Sequence, residues 1–148
     1  MFGGGNNYAA TMDAYDASLT KTAISNLSIG RMDSAATTVG NYALFGGGNL
    51  NYGAVDYYDK SLTKGTAASL SNARVYLAAT TVGEYALFGG GANSGAFASV
   101  DVYDSSMTKS VMNDMSIARR SHAATTVGNC ALFGGGHSGN NYYATVDV

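Results

Sequence analysis

The chain of 148 residues contains no proline, no tryptophan and a single cysteine, Cys130. One cysteine cannot build a disulfide framework, so the redox compartment stays open. Charged residues make up only 12% and nearly cancel, leaving a net charge of −2. Without a basic stripe, nucleic acid is not an expected partner. No apolar run approaches the ~18 residues of a membrane-crossing helix, so no membrane insertion is expected. Met1-Phe2 runs straight into glycines without a signal-peptide pattern, and localisation stays unassigned.

Glycine, by contrast, is abundant, and its positions are periodic. Gly3-Gly4-Gly5, Gly46-Gly47-Gly48, Gly89-Gly90-Gly91 and Gly134-Gly135-Gly136 start 43, 43 and 45 residues apart. Other words recur in the same order. Ala-Ala-Thr-Thr-Val-Gly occupies Ala35–Gly40, Ala78–Gly83 and Ala123–Gly128, and Asp-x-Tyr-Asp occupies Asp13–Asp16, Asp56–Asp59 and Asp101–Asp104. Each complete cassette also carries Lys and Arg, so its charge cancels internally. A period in this range signals an array in which each unit buries its apolar face on its neighbours.

One cassette reads as four short strands. Ser34–Val39 alternates small and polar residues with Thr and Val, Gly40-Asn41 is a two-residue hairpin turn, and Tyr42–Phe45 is a short apolar strand. Ala54–Tyr58 is a third strand, Asp59 opens a turn through its carboxylate, and Lys64–Leu70 is a fourth. Helical repeats are excluded, because β-branched residues and glycine interrupt every candidate helix. A β-solenoid is the alternative, but its coils are usually shorter. Four antiparallel strands per cassette point to an all-β propeller blade. The units are 1–30 (partial), 31–73, 74–118 and 119–148 (partial), about three blades in total. Two readings of that number stay open: a fragment of a larger ring, or a ring completed by self-association, as in a homodimer of six blades.

The order of Arg, a small-residue strand, apolar-apolar-Gly-Gly and Tyr-Asp resembles the kelch repeat. Arg31, Arg74 and Arg119 match the family's Arg, Gly46-Gly47, Gly89-Gly90 and Gly134-Gly135 its double glycine, and Tyr15, Tyr58 and Tyr103 its Tyr. The family's Trp is replaced by Thr22, Gly65 and Ser110. Leu19, Leu62 and Met107 are the expected fillers of that space. The low divergence between copies is similar to that of tandem kelch-like proteins of bacteria and their phages, which implies a bacterial or phage surface.

The copies disagree in two places: the loop after each glycine triplet, and the lead-in to each first strand (Met32-Asp33-Ser34, Val75-Tyr76-Leu77 and Arg120-Ser121-His122). In an up-down-up-down sheet both emerge at one end, which is what a binding face on a constant scaffold looks like. Its candidate ligand-binding residues are Tyr8, Tyr52, Tyr76, Phe97, His122, His137, Tyr142 and Tyr143. Aromatics among Asn, Ser and Gly suit a protein or glycan ligand. Kelch relatives commonly bind partners through the same loops.

Chemistry of other kinds is weakly represented. Gly134–Gly139 matches G-x-G-x-x-G, but a strand rather than a helix follows it. His122 and His137 are the only histidines, and loop histidines are more often solvated than metal-bound. Cys130 stands where Tyr42 and Tyr85 stand and reads as a small apolar filler. The repeated Arg is expected to bond backbone carbonyls between blades. The expectation is a non-catalytic binding module without cofactor, metal or catalytic residue. The alternatives are a structural or assembly array of a surface or virion protein and, third, a propeller enzyme acting on glycans.

Overall fold

The computed structural model describes residues 1–148, apart from the side chains of Phe2 and Asn6. It is all-β. A three-stranded sheet comes first, with β1 (Phe2–Gly3), β2 (Met12–Tyr15) and β3 (Lys21–Ala23). Two four-stranded antiparallel sheets follow. One orders β4 (Ala35–Val39), β5 (Tyr42–Gly46), β6 (Val55–Tyr58) and β7 (Lys64–Ala67). The other orders β8 (Ala78–Val82), β9 (Tyr85–Gly89), β10 (Val100–Asp104) and β11 (Lys109–Val111). In the last sheet β12 (Ala123–Val127) pairs with β13 (Cys130–Gly134). The chain then forms a small hairpin, β14 (His137–Ser138) and β15 (Asn141–Tyr142), before β16 (Val146–Asp147) returns to β13. The fourth strand is shorter than the expected Lys64–Leu70, because Leu70 leaves the ladder to enter the core.

Local chemistry explains the turns. Gly40, Gly83 and Gly128 take φ of +53°, +53° and +55°, as the first central residue of a type II′ hairpin requires. At the other turn the Asp59 carboxylate accepts from Ser61 N at 2.8 Å and Thr63 N at 2.9 Å. Asp16 and Asp104 make the same pair of bonds.

The sheets stack face to face with their first strands side by side, β4 against β8 and β8 against β12. The Thr-Thr pair stitches these strands. Thr37 Oγ1 lies 2.7 Å from Thr81 Oγ1, and Thr80 Oγ1 lies 2.8 Å from Thr126 Oγ1. Thr126 Oγ1 also donates to Thr81 O at 2.6 Å, and Thr81 Oγ1 donates to Thr38 O.

The apolar core lies between sheets. Leu44, Val55 and Leu70 of one sheet meet Phe88 and Tyr103 of the next, and Leu87, Val100 and Met115 meet Phe133. Phe88 and Tyr103 pack edge to face, centroids 5.8 Å apart, as do Phe45 and Tyr58 at 6.1 Å. The first glycine of the triplet makes this stacking feasible. A Cβ on Gly46 would stand 2.8 Å from Phe88 Cε1, and one on Gly89 would stand 2.7 Å from Phe133 Cε1. Leu19, expected as a filler beside the missing Trp, is instead 80% exposed at a turn with φ +63°. Of the three fillers only Met107 packs against a core cluster.

Three of the units also contain an Arg–Asp ion pair, wholly buried in the two four-stranded sheets. Arg31 and Asp56 are fully buried, with Nη2 donating to Oδ2 at 2.6 Å. Arg31 Nη1 donates to Phe45 O at 2.9 Å and Ala54 O at 3.1 Å. The guanidinium therefore stays within the sheet it leads into, contrary to the expectation that it bridges sheets. The bridging falls to its backbone and to serine. Arg31 N donates to Ala9 O, Gly5 N donates to Arg31 O, and Ser28 donates through N and Oγ to Asp56. Arg74–Asp101–Ser71 and Arg119–Asp147–Ser116 repeat the arrangement. Burial lowers the pKa of Arg31 and Arg74, and the adjacent Asp56 and Asp101 oppose that shift. Tyr58, whose hydroxyl donates to Ser25 O at 2.6 Å, is pushed up to about 12 by its burial and by Asp56.

Candidate functional site

The lead-ins are hydrogen-bonded to the end of the glycine triplet or to the loop that follows it. Met32 N donates to Gly48 O at 2.8 Å. Val75 and Ala92 exchange both backbone bonds at 2.9 and 2.8 Å, and Arg120 and His137 exchange theirs at 3.0 Å. Adjacent repeats join through the lead-ins. Tyr76 N donates to Asp33 O at 3.0 Å, and Ser121 N donates to Tyr76 O at 2.9 Å. Asp33, Tyr76 and Ser121 all take left-handed backbone, with φ of +55°, +57° and +54°. Such a conformation is uncommon for residues other than glycine and is held here at every step of one continuous track.

Glycine completes the track. Gly5, Gly48 and Gly91 have φ of +142°, +83° and +94°. That conformation aims their amides at Arg31 O, Arg74 O and Arg119 O.

Four of the aromatic candidates stand in solvent: Tyr8, Tyr52, Tyr76 and Tyr142, the last 83% exposed. Phe97, His137 and Tyr143 are half-buried. The Arg120 guanidinium carbon lies 5.7 Å from the Tyr76 ring centroid, a cation–π contact between successive lead-ins. His137 and Tyr142 face each other on the β14–β15 hairpin, centroids 5.5 Å apart. Tyr8 follows Asn7 in a single 3-10 turn, both with positive φ.

His122 lies apart from these. It is buried, tilted against Phe133 at 5.9 Å, and neither ring nitrogen makes a hydrogen bond. Burial and then the Arg119 charge push its pKa down to about 4. Its position is a plug between sheets. A Cβ on Gly47 would stand 2.9 Å from Leu77 Cδ2, and one on Gly90 would stand 2.5 Å from His122 Cε1. At the third such position Ser34 is small, and a polar hollow of about 400 Å³ opens among Gly3, Gly4, Gly5, Thr11 and Asp33. Variation at 34, 77 and 122 therefore alters packing rather than the presented surface.

Some loop asparagines are committed to structure. Asn93 Nδ2 donates to Leu50 O at 2.8 Å and to Ala73 O at 3.2 Å, joining two loops, and Asn49 Nδ2 donates to Gly30 O at 3.2 Å. These bonds hold the loops in place beneath the exposed rings. The surface offers flat apolar rings and backbone polar groups. Among the described residues no three His, Cys, Asp or Glu side chains are grouped to hold a metal ion. Cys130, expected as a small apolar filler, is exposed. Its sheet is not covered on that side as the earlier ones are.

No family model and no curated protein matches the sequence. Solved structures do match. The chain is similar to the structure of YjhT, with a TM-score of 0.75 and 14% identity, over 93% of this chain and 48% of that one. The chain thus spans about half the length of the protein it matches. At that identity the two share a fold.

Proposed function

We propose that the chain is a kelch-like β-propeller region, its sheets acting as about three blades, and that it is a non-catalytic binding module. Its ligand is a protein or a glycan, held by the exposed Tyr-rich loops at one end. The observation that supports this reading is the convergence of the two variable segments, bonded to each other at Val75 with Ala92 and at Arg120 with His137, while Met32 is bonded to Gly48 at the end of the glycine triplet. Sequence freedom is concentrated where the backbone is firmly held, the arrangement expected of a recognition surface. Exposed rings such as Tyr52 and Tyr142 stack on the apolar face of a sugar or anchor a protein contact at small entropic cost.

The test is binding to a glycan array and to a panel of candidate surface proteins, with wild-type chain and the double variant Tyr52→Ala, Tyr142→Ala. Both rings are largely solvent-exposed, so the variant keeps its fold. Loss of a wild-type signal supports the reading and names the ligand class. An unchanged signal moves the site off this face, and no binding by wild type to either panel removes the module reading.

A further inference from the structure

We propose, on the reading of the loop face as a binding surface, that the row Tyr76, Arg120, His137 and Tyr142 holds a carboxylate side chain of an acidic protein segment. Three of these residues lie directly opposite one another on adjacent strands. Arg120 forms an antiparallel bridge with His137, and His137 pairs with Tyr142 across the β14–β15 hairpin. Residues opposite one another in an antiparallel ladder send their side chains to the same face. Tyr76 extends the row by one repeat, its ring centroid 5.7 Å from the Arg120 guanidinium carbon.

The preceding repeat builds the same small ladder from different residues. There Val75 bridges Ala92 and Ala92 bridges Ala96, and Val75 and Ala92 are buried. Small apolar side chains therefore suffice for this backbone. Arg, His and Tyr in the matching row are not a demand of the fold.

Charge singles out Arg120. Arg31, Arg74 and Arg119 are wholly buried, and each is paired with an aspartate. Arg120 is only half-buried, and among the described residues no ion pair includes it. The four lysines stand at the other end of the sheets, in or beside the turns of Asp16, Asp59 and Asp104. Arg120 is thus the permanent positive charge of the loop face. A guanidinium held over a ring keeps its N–H donors for both oxygens of a carboxylate. His137 Nδ1 donates to Gly139 O at 3.1 Å, which fixes the imidazole against the Tyr142 ring. The two tyrosines then offer apolar area to the residues that flank the acid. Tyr76 is 40% and Tyr142 83% exposed, so the row is an open ledge. A small ligand needs a concave site around it, whereas tyrosine and arginine on an open surface are the anchors of protein interfaces.

Selection from a random peptide library, with the full chain as bait, tests this. Enriched peptides are expected to carry Asp or Glu beside an apolar or aromatic residue. Synthetic copies with Asn or Gln in place of the acid are expected to bind at least about tenfold more weakly, and Arg120→Gln should weaken the acidic peptides by a similar factor. Arg120→Lys should restore only part of that loss, because an ammonium lacks the planar fork. Arg120→Gln leaves the backbone bonds to His137 in place, and an unchanged thermal midpoint verifies its fold. Tetragalacturonic acid, a carboxylated glycan, is the comparison probe. Enrichment of neutral or basic peptides overturns the proposal, as does binding indifferent to Arg120→Gln or stronger for the glycan than for the acidic peptides. Peptides bound without preference for acid, yet lost with Tyr52→Ala, Tyr142→Ala, overturn the acidic partner and leave the binding surface standing. Absence of any bound peptide or glycan removes both.

Discussion

Arg74 Nη2 and Asp101 Oδ2 lie 2.7 Å apart with both side chains wholly buried. Asp101 also accepts from Ser71 N and Oγ and is paired with Lys109 at 3.0 Å, so its carboxylate ties one sheet to the link that precedes it. A buried pair of this kind need not stabilise relative to apolar residues, but breaking it strands a charge. Asp101→Ala is expected to destabilise by about 3–5 kcal/mol. Asp104→Ala, three residues away, removes only a turn carboxylate and should cost about 1 kcal/mol. Urea unfolding of the two variants checks the ranking, and equal losses would contradict it.

The glycine triplets make a second, paired prediction. A Cβ on Gly89 would press within 2.7 Å of the Phe133 ring, whereas one on Gly134 meets only Val146 Cγ2 at 3.4 Å. Gly89→Ala therefore forces the next sheet outward and should cost about 1–3 kcal/mol. Gly134→Ala should change stability by less than about 0.5 kcal/mol. Thermal or urea midpoints of the two variants measure the difference. It tests sheet-on-sheet packing independently of any ligand.

The strands were legible because the sequence shows each of them several times over. Ala-Ala-Thr-Thr-Val alternates, Gly-Asn or Gly-Glu turns it, and Asp59 and its copies hold the second turn. The Arg–Asp pair was less legible. Its partners lie 25 to 28 residues apart, and the aspartate shares its word with the turn residue. The signal was the internal cancellation of charge in each cassette, which is what paired burial requires. The lead-in triplets misled for a physical reason. Variation there looks like surface freedom, yet Leu77 and His122 are buried plugs opposite glycines, while Tyr76, next to Leu77 in the chain, is exposed. The left-handed backbone at Tyr76 and Ser121 turns the chain there, so neighbouring residues meet different environments. Exposure of Cys130 could not be read either, since it depends on whether another sheet covers its own.

The exposed turn at Asp59 gives a milder prediction. Its carboxylate accepts from Ser61 N and Thr63 N while Leu62 holds φ of +62°. Leu62→Gly removes the strain of that backbone conformation and should stabilise by a few tenths of a kcal/mol up to about 1 kcal/mol. Asp59→Ala should act in the opposite direction by about 1 kcal/mol. Both follow from urea midpoints, and a loss on Leu62→Gly would show that packing of the leucine outweighs its backbone strain.

His122 links packing to pH. In an unfolded chain its imidazole takes a proton near pH 6.5, but in the folded protein only near 4. Between those values the unfolded state binds the proton more readily, so stability present above pH 6.5 is lost as the pH falls toward 4. The groups around it decide the sign. Arg119 and Arg74 oppose a positive imidazole, while Asp147 and the Gly89 backbone favour it less strongly than burial and Arg119 oppose it. His122→Leu installs the residue that Leu77 already provides at the matching position, where it packs over Gly47. The variant should equal or exceed wild type in stability at neutral pH and exceed it by a growing margin as the pH falls. Urea midpoints at several pH values from 7 to about 4 measure that margin, because carboxylate titration is common to both proteins and cancels in the difference. Parallel curves for the two would mean that the imidazole is hydrated or already paired in the folded protein, and that His122 is no plug.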